Sequence, residues 1–585
     1  YFTVGYDVLF KAVKNIKKGQ IFDENFLMTI ATVGAFAIKE FPEAVSVMLF
    51  YQIGEMFQDL AVGKSRKSIT SLMNIRPDYA NLKIEGEIKK VLPKEVKLGD
   101  IIVIKPGEKV ALDGKITNGS STFDTSALTG EAIPRTFEIG DEILSGFINT
   151  TNLVEIEVTK SFENSTISKI LDLVQNASSK KSKTENFITK FARFYTPAVV
   201  IIALLIAILP MIFVKDAQFS TWLYRALIFL VVSCPCALVV SIPLGFFGGI
   251  GGASKNGILI KGANYLEALN NLETVVFDKT GTLTKGKFKV YEINVQNSKY
   301  TKDDLLKYAA IAESFSNHPI AQSIVLEYEK NNKKLEKTDS SEFEFEEIAG
   351  HGVKVKYENN EILAGNLKLL KKENIEAAEK DAVGTVVYVA KDGKYMGNLI
   401  IADEIKEDAK KTVEELNNLG IKNVVMLTGD NRKIGENVAS KLNISKVFTD
   451  LLPLGKVEKM EEFLKNKSTN GKVLFVGDGI NDAPVLARSD IGVAMGGVGS
   501  DAAIEAADMI IMNDEPSKIV TALKIAKKTK KIVWQNIIFA LGVKIIILVM
   551  GALGFATMWE AVFGDVGVAL IAILNATRAL TYKEN

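Results

Sequence analysis

Cysteine and histidine are scarce in this chain, which has two residues of each among 585. A disulfide between the two cysteines is implausible, because a single residue separates them and so short a loop would be strained. Two histidines exclude a histidine-rich metal-binding tract. The formal net charge is +1, so nothing in the charge balance indicates nucleic acid as a partner. We find no internal repeat and no cleavable signal peptide, and because the chain begins at Tyr1 we expect it to be a fragment.

Apolar residues, in contrast, are abundant, at 47% of the chain beside 24% charged residues. A helix needs about 20 residues to cross a bilayer. Six apolar segments approach this length, of which the first is short: 25–38, 42–60, 195–214, 222–250, 535–552 and 559–580. Lysine and arginine are frequent in the hydrophilic segments beside them, so the positive-inside tendency puts the soluble domains in the cytoplasm. The clustering of apolar residues in six such segments therefore predicts a polytopic α-helical membrane protein.

A short acidic motif follows the apolar run 274–277. This β-branched run predicts a buried strand, and Asp278-Lys279-Thr280-Gly281-Thr282 comes directly after it. A carboxylate just beyond such a strand lies in the crevice where open α/β sheets do their chemistry, and it can attack a phosphoryl group as a nucleophile. The motif resembles the phosphorylation motif of P-type ATPases. This implies that Asp278 accepts the phosphoryl group, with Lys279 and Thr280 as catalytic neighbours.

Two further apolar runs end in similar turns. The run 422–427 leads into Thr428, and the run 472–476 leads into Asp478 and Asp482. Parallel strands would bring these ends to one edge of a sheet together with Asp278. Carboxylates so close are costly unless a cation neutralises them, and oxygen ligands around a phosphate suit Mg²⁺. We expect Mg²⁺ to be bound by Asp278, Thr280 and Asp478. We expect Thr428, Lys456 and Asp482 to complete the catalytic site.

Two other classes of protein remain possible on these residues, and the rest of the chain decides against a third. A soluble phosphatase of the haloacid dehalogenase type would share the three strand ends, but it would lack the membrane spans. A membrane-anchored phosphatase would hydrolyse its substrate without any dependence on heavy metals. A membrane metal sensor would not need Asp278.

The soluble segment 61–190 consists mostly of predicted strands and includes the string from Asp124 to Glu131. This string resembles the actuator-domain motif of P-type ATPases. The resemblance implies that Glu131 orients the water that hydrolyses the aspartyl-phosphate, a task that suits a mobile carboxylate.

The segment 288–398 interrupts the phosphorylation domain and holds both histidines. Five of its residues resemble the ATP-binding residues of the heavy-metal-transporting subfamily: Glu313, His318, Gly350, Gly352 and Asn366. Glycines let the backbone approach a nucleotide closely. We expect no ligand role for His351, which lies between the two glycines.

The two cysteines flank a proline in the predicted span 222–250, as Cys234-Pro235-Cys236. A proline there removes one N–H group and frees carbonyl oxygens to face a cavity. Thiolates select soft or borderline cations such as Cu⁺, Zn²⁺ and Cd²⁺. The Cys-Pro-Cys string, with the Asp278 motif downstream, resembles the heavy-metal P1B group of P-type ATPases over the whole chain.

Three ionisable residues lie inside apolar spans: Glu55, Lys544 and Asp565. The last two spans are antiparallel, with Lys544 thirteen residues before the turn near Thr557 and Asp565 eight residues after it, so a lysine side chain can reach the carboxylate. We infer a Lys544–Asp565 ion pair, which either only fixes the packing or supplies Asp565 as a ligand with Lys544 as a counter-ion. Two thiolates and a carboxylate suit Zn²⁺ or Cd²⁺. Glu55 matches a carboxylate of the zinc branch that lines the exit path.

The segments around Lys544 and Asp565 resemble the zinc/cadmium/lead branch, and the residues typical of copper pumps are absent, although a Cu⁺ pump remains an alternative. The expected fold adds to the membrane helices a haloacid dehalogenase-like, Rossmann-type α/β phosphorylation domain, an α+β nucleotide-binding domain and a mainly β actuator domain. The expected boundaries are 1–60 and 191–252 (membrane helices), 61–190 (actuator), 253–287 and 399–533 (phosphorylation), 288–398 (nucleotide) and 534–585 (last helix pair). The resemblance implies a monomer in the bacterial plasma membrane that uses ATP and Mg²⁺ to export Zn²⁺, Cd²⁺ or Pb²⁺, supplied by a thiol or carrier.

Overall fold

The computed structural model describes most of the chain. The described residues are 1–17, 24–71, 77, 79–125, 134–168, 182–233, 236–296, 298–314, 316, 318–330, 344–348, 351–357, 360–380, 382, 384–478, 482–496 and 505–582. Contacts divide the chain into two compact units, one of residues 1–271, 508–513 and 518–585 and the other of residues 272–507 and 514–517.

Sixteen α-helices are formed by the described residues. In chain order they are α1 (Phe2–Lys17), α2 (Glu24–Ala37), α3 (Phe41–Ser71), α4 (Lys183–Phe213), α5 (Phe219–Val232), α6 (Cys236–Ser254), α7 (Ala263–Ala268), α8 (Lys302–Glu313), α9 (Pro319–Glu329), α10 (Leu367–Lys372), α11 (Ala409–Asn418), α12 (Arg432–Lys441), α13 (Pro453–Asn466), α14 (Ala483–Arg488), α15 (Ser517–Leu553) and α16 (Met558–Thr577).

The strands within the same described ranges are β1 (Ala80–Ile84), β2 (Glu87–Val91), β3 (Ile101–Ile104), β4 (Gly114–Asn118), β5 (Ser121–Asp124), β6 (Arg135–Phe137), β7 (Glu142–Ile143), β8 (Ile148–Asn149), β9 (Val154–Val158), β10 (Ile258–Ile260), β11 (Leu272–Asp278), β12 (Thr284–Val295), β13 (Glu344–Ile348), β14 (Gly352–Tyr357), β15 (Asn360–Gly365), β16 (Thr385–Lys391), β17 (Lys394–Ile405), β18 (Asn423–Leu427), β19 (Lys446–Phe448), β20 (Lys472–Gly477), β21 (Ile491–Ala494) and β22 (Met509–Ile511).

Four helical segments of the described chain are long and apolar enough to cross a membrane: Tyr195–Phe213, Phe219–Ser254, Ser517–Leu553 and Met558–Leu580. They coincide with the last four predicted spans. The first predicted span is a shorter apolar helix, Asn25–Ala37, and the second lies within α3. Large apolar side chains on the outer faces stay accessible, as in Ile212 at 70% exposure, which suits contact with lipid rather than water.

The membrane helices pack closely where glycine lines the contact. A Cβ atom on Gly54 of α3 would lie 2.4 Å from the side chain of Val566 on α16, and a Cβ on Gly252 of α6 would lie 2.7 Å from the Ala579 carbonyl oxygen. Neither position has room for a larger residue. Helix α16 begins at a capping box, in which Thr557 and Glu560 satisfy the free N–H groups of the first turn.

Residues 80–125 and 134–158 form the mainly β domain that the sequence predicts. Its six-stranded antiparallel sheet has the order β2-β1-β3-β9-β4-β7, beside a three-stranded sheet β6-β5-β8. Alternating side chains of these strands build the core, including the fully buried Phe123 and Ile156. The buried carboxylate of Asp113 accepts hydrogen bonds from Ser145 and Thr166, so it joins this domain to the segment that follows it.

The second unit contains a parallel sheet with the strand order β21-β20-β11-β18-β19. In its register Asp278 pairs with Leu427 of β18, and Phe277 pairs with Val476 of β20. The strands are nearly continuous apolar runs because both faces of a parallel sheet are covered. The carboxyl ends of β11, β18 and β20 therefore lie side by side.

A six-stranded antiparallel sheet, β12-β17-β16-β15-β14-β13, is inserted after β11 in the same unit. Helices α8 and α9 pack on one face, where Leu305, Ala309 and Ile324 are fully buried against strand residues such as Val355 and Leu399. The long strands β12 and β17 carry the chain into and out of this sheet, and Thr284 pairs with Ile405 where they start and end.

Candidate active site

Two of the three predicted strand ends, those of β11 and β20, bring carboxylates together. Asp278 is the last residue of β11, Asp478 follows β20, and Asp482 precedes α14. One carboxylate oxygen from each lies within 4.8 Å of the others. Asp278 and Asp482 are buried, whereas Asp478 is exposed. This confirms the crowding that the sequence predicts.

Lys456 at the start of α13 partly balances this charge. Its Nζ atom lies 2.5 Å from Oδ1 of Asp278 and 2.9 Å from Oδ1 of Asp482. Burial and the charge of Asp482 together raise the pKa of the Asp278 carboxyl to about 7, although Lys456 opposes the rise. Lys456 thus contacts two of the three carboxylates, and this oxygen-rich donor set fits a divalent cation such as Mg²⁺.

The turn after Asp278 depends on glycine. Gly281 has φ +71°, and a Cβ atom there would lie 1.6 Å from Oδ2 of Asp478. Only glycine fits a backbone with this conformation so close to a carboxylate. Thr280, one residue earlier, is exposed.

Two other predicted residues have defined partners near this edge. Thr428 is buried at the end of β18, and its hydroxyl accepts a hydrogen bond from the backbone N–H of Asp430. The Nζ atom of Lys279 lies 2.7 Å from Asp430 and 3.8 Å from Asp403. The ammonium group of Lys279 is therefore held by these two carboxylates.

Sequence reasoning did not single out Asp403, Asp430 and Lys406. The Asp403 carboxylate accepts a hydrogen bond from the hydroxyl of Thr284, and burial raises its pKa. Asp430 stands in the same turn as Thr428, so its position after a strand was a usable signal. Asp403 and Lys406 come at the end of the long strand β17, and only the pairing of that strand with β12 reveals their proximity to the Asp278 loop.

Three residues expected to bind nucleotide lie at the start of β14, just before α10 and at the end of α8. Gly352 pairs with Gly365, and a Cβ on Gly352 would lie 2.3 Å from the Ala364 carbonyl oxygen. Asn366 begins α10, and its Oδ1 accepts from the N–H of Leu369 at 3.2 Å. Glu313 ends α8, and burial together with the nearby charge of Glu347 raises its pKa to about 7.

His318 begins α9, and its Nδ1 accepts a hydrogen bond from the N–H of Ile320 at 3.2 Å. The imidazole therefore caps a helix, and its other nitrogen is not used by this contact. Gly350 lies outside the described residues.

The ion pair inferred inside the membrane spans is present. The Nζ atom of Lys544 lies 2.7 Å from Oδ1 of Asp565, and the side chains are 5% and 3% exposed. The same Nζ donates to the carbonyl oxygen of Val232 at 2.9 Å. Val232 ends α5, two residues before Cys234 in the sequence.

Other predicted residues are described only in part. Cys234 and Glu131 lie outside the described residues, and Cys236 begins α6 without a described side chain. Glu55 is half-buried on α3 and follows Gly54, whose Cα packs against Val566. Glu55 on α3 therefore lies at about the same height along the helix axes as Asp565 on α16, the residue before Val566.

Comparison with known proteins matches both soluble parts to families. Residues 272–490 match the haloacid dehalogenase-like hydrolases, and residues 74–175 match the P-type ATPase actuator domain. The chain is 59% identical to the cadmium, zinc and cobalt-transporting ATPase of Bacillus subtilis, over 100% of this chain and 82% of that protein. It is 54% identical to the zinc-transporting ATPase of Synechocystis, over 99% and 79%.

A solved structure shares the fold as well. The crystal structure of a zinc-transporting PIB-type ATPase in the E2·Pi state superposes with a TM-score of 0.64 at 33% identity, covering 99% of this chain and 94% of that one. The carboxylate cluster and the Lys544–Asp565 pair thus stand in a chain that is similar throughout its length to membrane transport ATPases. This chain belongs to the P-type ATPases, in their heavy-metal P1B (PIB-type) group.

Proposed function

We propose that this P-type ATPase exports Zn²⁺, Cd²⁺ or Pb²⁺ from the cytoplasm across the plasma membrane. Relatives at 59% and 54% identity carry the names of cadmium, zinc and cobalt or of zinc transporters. The observation that carries the proposal is the buried Lys544–Asp565 pair beside the segment that leads into Cys234. A carboxylate and two thiolates favour a divalent borderline ion over Cu⁺.

The ion site is assigned to Cys234, Cys236 and Asp565. Burying a lone carboxylate in hydrocarbon is unfavourable, so Lys544 balances Asp565 while the site is empty. A divalent cation arriving at Asp565 displaces the ammonium group, and the ammonium returns when the ion leaves. We assign Glu55 to the wall of the ion path, because it lies near the depth of Asp565.

Phosphoryl transfer is assigned to the edge of the parallel sheet. The Asp278 carboxylate attacks the γ-phosphorus of ATP, the bond to the ADP oxygen breaks, and an aspartyl-phosphate forms. Lys456 holds the phosphoryl oxygens by charge, and Thr428 donates a hydrogen bond to them. Asp482 keeps Lys456 in place through the contact of 2.9 Å.

Asp278, Thr280 and Asp478 are the residues that would hold Mg²⁺, which neutralises phosphate charge when bound. ATP is assigned to Glu313, His318, Gly350, Gly352 and Asn366. Glu131 is assigned the task of directing water onto the aspartyl-phosphate. The coupling arises because ion-bound and phosphorylated forms favour different conformations. We propose that the protein acts as a monomer and receives its ion from a thiol or carrier.

ATP hydrolysis by the lipid-reconstituted protein across a panel of Zn²⁺, Cd²⁺, Pb²⁺, Co²⁺ and reduced Cu⁺ tests the proposal. We expect stimulation by the divalent heavy metals that Cys234→Ala and Asp565→Ala abolish. Glu560→Gln is the matched control, since Glu560 lies on the same helix as Asp565 but only caps its first turn. Stimulation by Cu⁺ alone would make the protein a copper pump. Hydrolysis that ignores every metal would leave a membrane-anchored phosphatase.

A further inference from the structure

Lys406 lies where the inserted antiparallel sheet returns to the parallel sheet. Strand β17 ends at Ile405, which pairs with Thr284 at the start of β12. Lys406 follows at once and is 6% exposed, although its side chain carries a charge. A buried ammonium group is unfavourable unless it is paired and hydrogen-bonded. The partners of Lys406 therefore indicate its role in the structure.

The N–H and ammonium groups of Lys406 donate to one loop and to one carboxylate. Its backbone N–H donates to the Leu283 carbonyl oxygen at 3.0 Å. Its Nζ donates to the Gly281 carbonyl oxygen at 2.7 Å and to Oδ1 of Asp514 at 2.7 Å. Lys406 therefore forms two hydrogen bonds to the turn after Asp278, while Asp514 fixes the position of the ammonium group.

Gly281 is the residue of that turn that meets Asp478. With φ +71°, its Cα faces the Asp478 carboxylate so closely that a Cβ would overlap Oδ2. Gly281 therefore contacts both groups. Its carbonyl oxygen accepts the hydrogen bond from Lys406, and its Cα packs against the Asp478 carboxylate. A shift of this carbonyl consequently moves the surface against which Asp478 rests.

We propose that Lys406 is a positioning residue for the divalent-cation site: by holding Gly281 it keeps the turn against Asp478 and so fixes one of the carboxylates that bind the cation. The inference rests on the proposed role of Asp478 in binding Mg²⁺. It also explains why a charged side chain is buried at this strand end, where an apolar residue would pack without an ion pair.

Mn²⁺ binding to the nucleotide-free full-length protein, followed by electron paramagnetic resonance, tests the proposal without turnover. We expect Lys406→Met to weaken Mn²⁺ binding about tenfold, which corresponds to about 1.4 kcal/mol. The matched control is Lys285→Met, because Lys285 lies on β12 close by but pairs with Glu404 on the half-exposed surface. This control should bind Mn²⁺ as the unchanged protein does. In phosphorylation assays, Lys406→Met should raise the KM for Mg²⁺ more than it lowers kcat.

Asp514→Asn is the second variant, in case Lys406→Met does not fold. It keeps Lys406 but weakens its anchor, and it should weaken Mn²⁺ binding in the same direction by a smaller factor. Normal Mn²⁺ binding in folded Lys406→Met or Asp514→Asn would overturn the proposal, provided that Asp478→Asn weakens binding. If Asp478→Asn also binds Mn²⁺ normally, the assigned cation site itself is wrong.

Discussion

The Lys544 ammonium group is shared between the Asp565 carboxylate, at 2.7 Å, and the Val232 carbonyl oxygen, at 2.9 Å. Val232 ends α5 just before the Cys-Pro-Cys segment, and Asp565 lies on α16. One side chain from α15 therefore joins α16, which carries the proposed ligand Asp565, to the end of α5. Under the proposed function, a cation bound to Asp565 would break the contact with Lys544 and so link occupancy of the site to the arrangement of these helices.

Removing one charge of the Lys544–Asp565 pair should lower the free energy of unfolding more than removing both charges. Lys544→Met leaves a carboxylate buried without its partner, and we expect a loss of about 3–5 kcal/mol in the free energy of unfolding. The double variant Lys544→Met/Asp565→Leu removes both charges and should regain most of this loss. Denaturant unfolding in metal-free lipid nanodiscs measures all three proteins, and equal losses in the single and double variants would speak against a mutually compensating pair.

Gly281 should tolerate no side chain. Gly281→Ala adds a Cβ at the Asp478 carboxylate and strains a backbone at φ +71°, so we expect formation of the phosphoenzyme from labelled ATP to fall to background. Gly286→Ala has a similar strain at φ +64°, but its nearest neighbour lies 3.7 Å away. It should lose about 1 kcal/mol of stability and keep measurable phosphorylation. Similar phosphorylation in the two variants would contradict the contact with Asp478.

The stability of the Mg²⁺-free protein should depend on pH through Asp278. The folded-state pKa of about 7 lies above the ordinary value of 3.8, so the folded state binds more protons than the unfolded state between about pH 4 and pH 7. The free energy of unfolding should therefore fall as pH rises through this window, by up to about 4 kcal/mol. Unfolding curves in EDTA measure the slope, Asp278→Asn should flatten it, and an unchanged slope in that variant would assign the effect to other groups.

Two roles of His318, capping α9 and the proposed contact with ATP, can be tested separately with two variants. His318→Ala removes the acceptor for the Ile320 N–H and should cost about 0.5–2 kcal/mol of stability. His318→Asn restores a capping acceptor and should unfold like the unchanged protein. Both variants should bind ATP more weakly in calorimetric titrations if the imidazole contacts the nucleotide. ATP binding that is weakened in His318→Ala and normal in His318→Asn would leave the residue a purely structural cap.

Features that depend on local pattern were predictable from the sequence. The strand ends at Asp278, Thr428 and Asp478 follow from apolar runs that stop at turn residues, and the parallel order of β18, β11 and β20 brings them together. The Lys544–Asp565 pair followed from counting residues on either side of one short turn, because two antiparallel helices leave little freedom in depth. Both expectations are confirmed.

Contacts between segments distant in sequence were not predictable in the same way. Lys406 meets Gly281 across 125 residues, and Asp403 meets Thr284 across 119 residues. Both contacts require the exact pairing of β12 with β17, including its irregular register. A sequence pattern gives the existence of such strands but not this register, so these buried charges emerge only from the fold.

The central claim is ATP-driven transport of a divalent heavy metal through a site that includes Asp565. Its most direct test is the ATP-dependent accumulation of radioactive Zn²⁺ in vesicles that hold the purified protein with its ATP-binding side outward. The account predicts uptake against a gradient by the unchanged protein and by Glu560→Gln, and none by Asp565→Ala or Asp278→Asn. Uptake by Asp565→Ala at the unchanged rate, or ATP hydrolysis without any uptake by the unchanged protein, would contradict it.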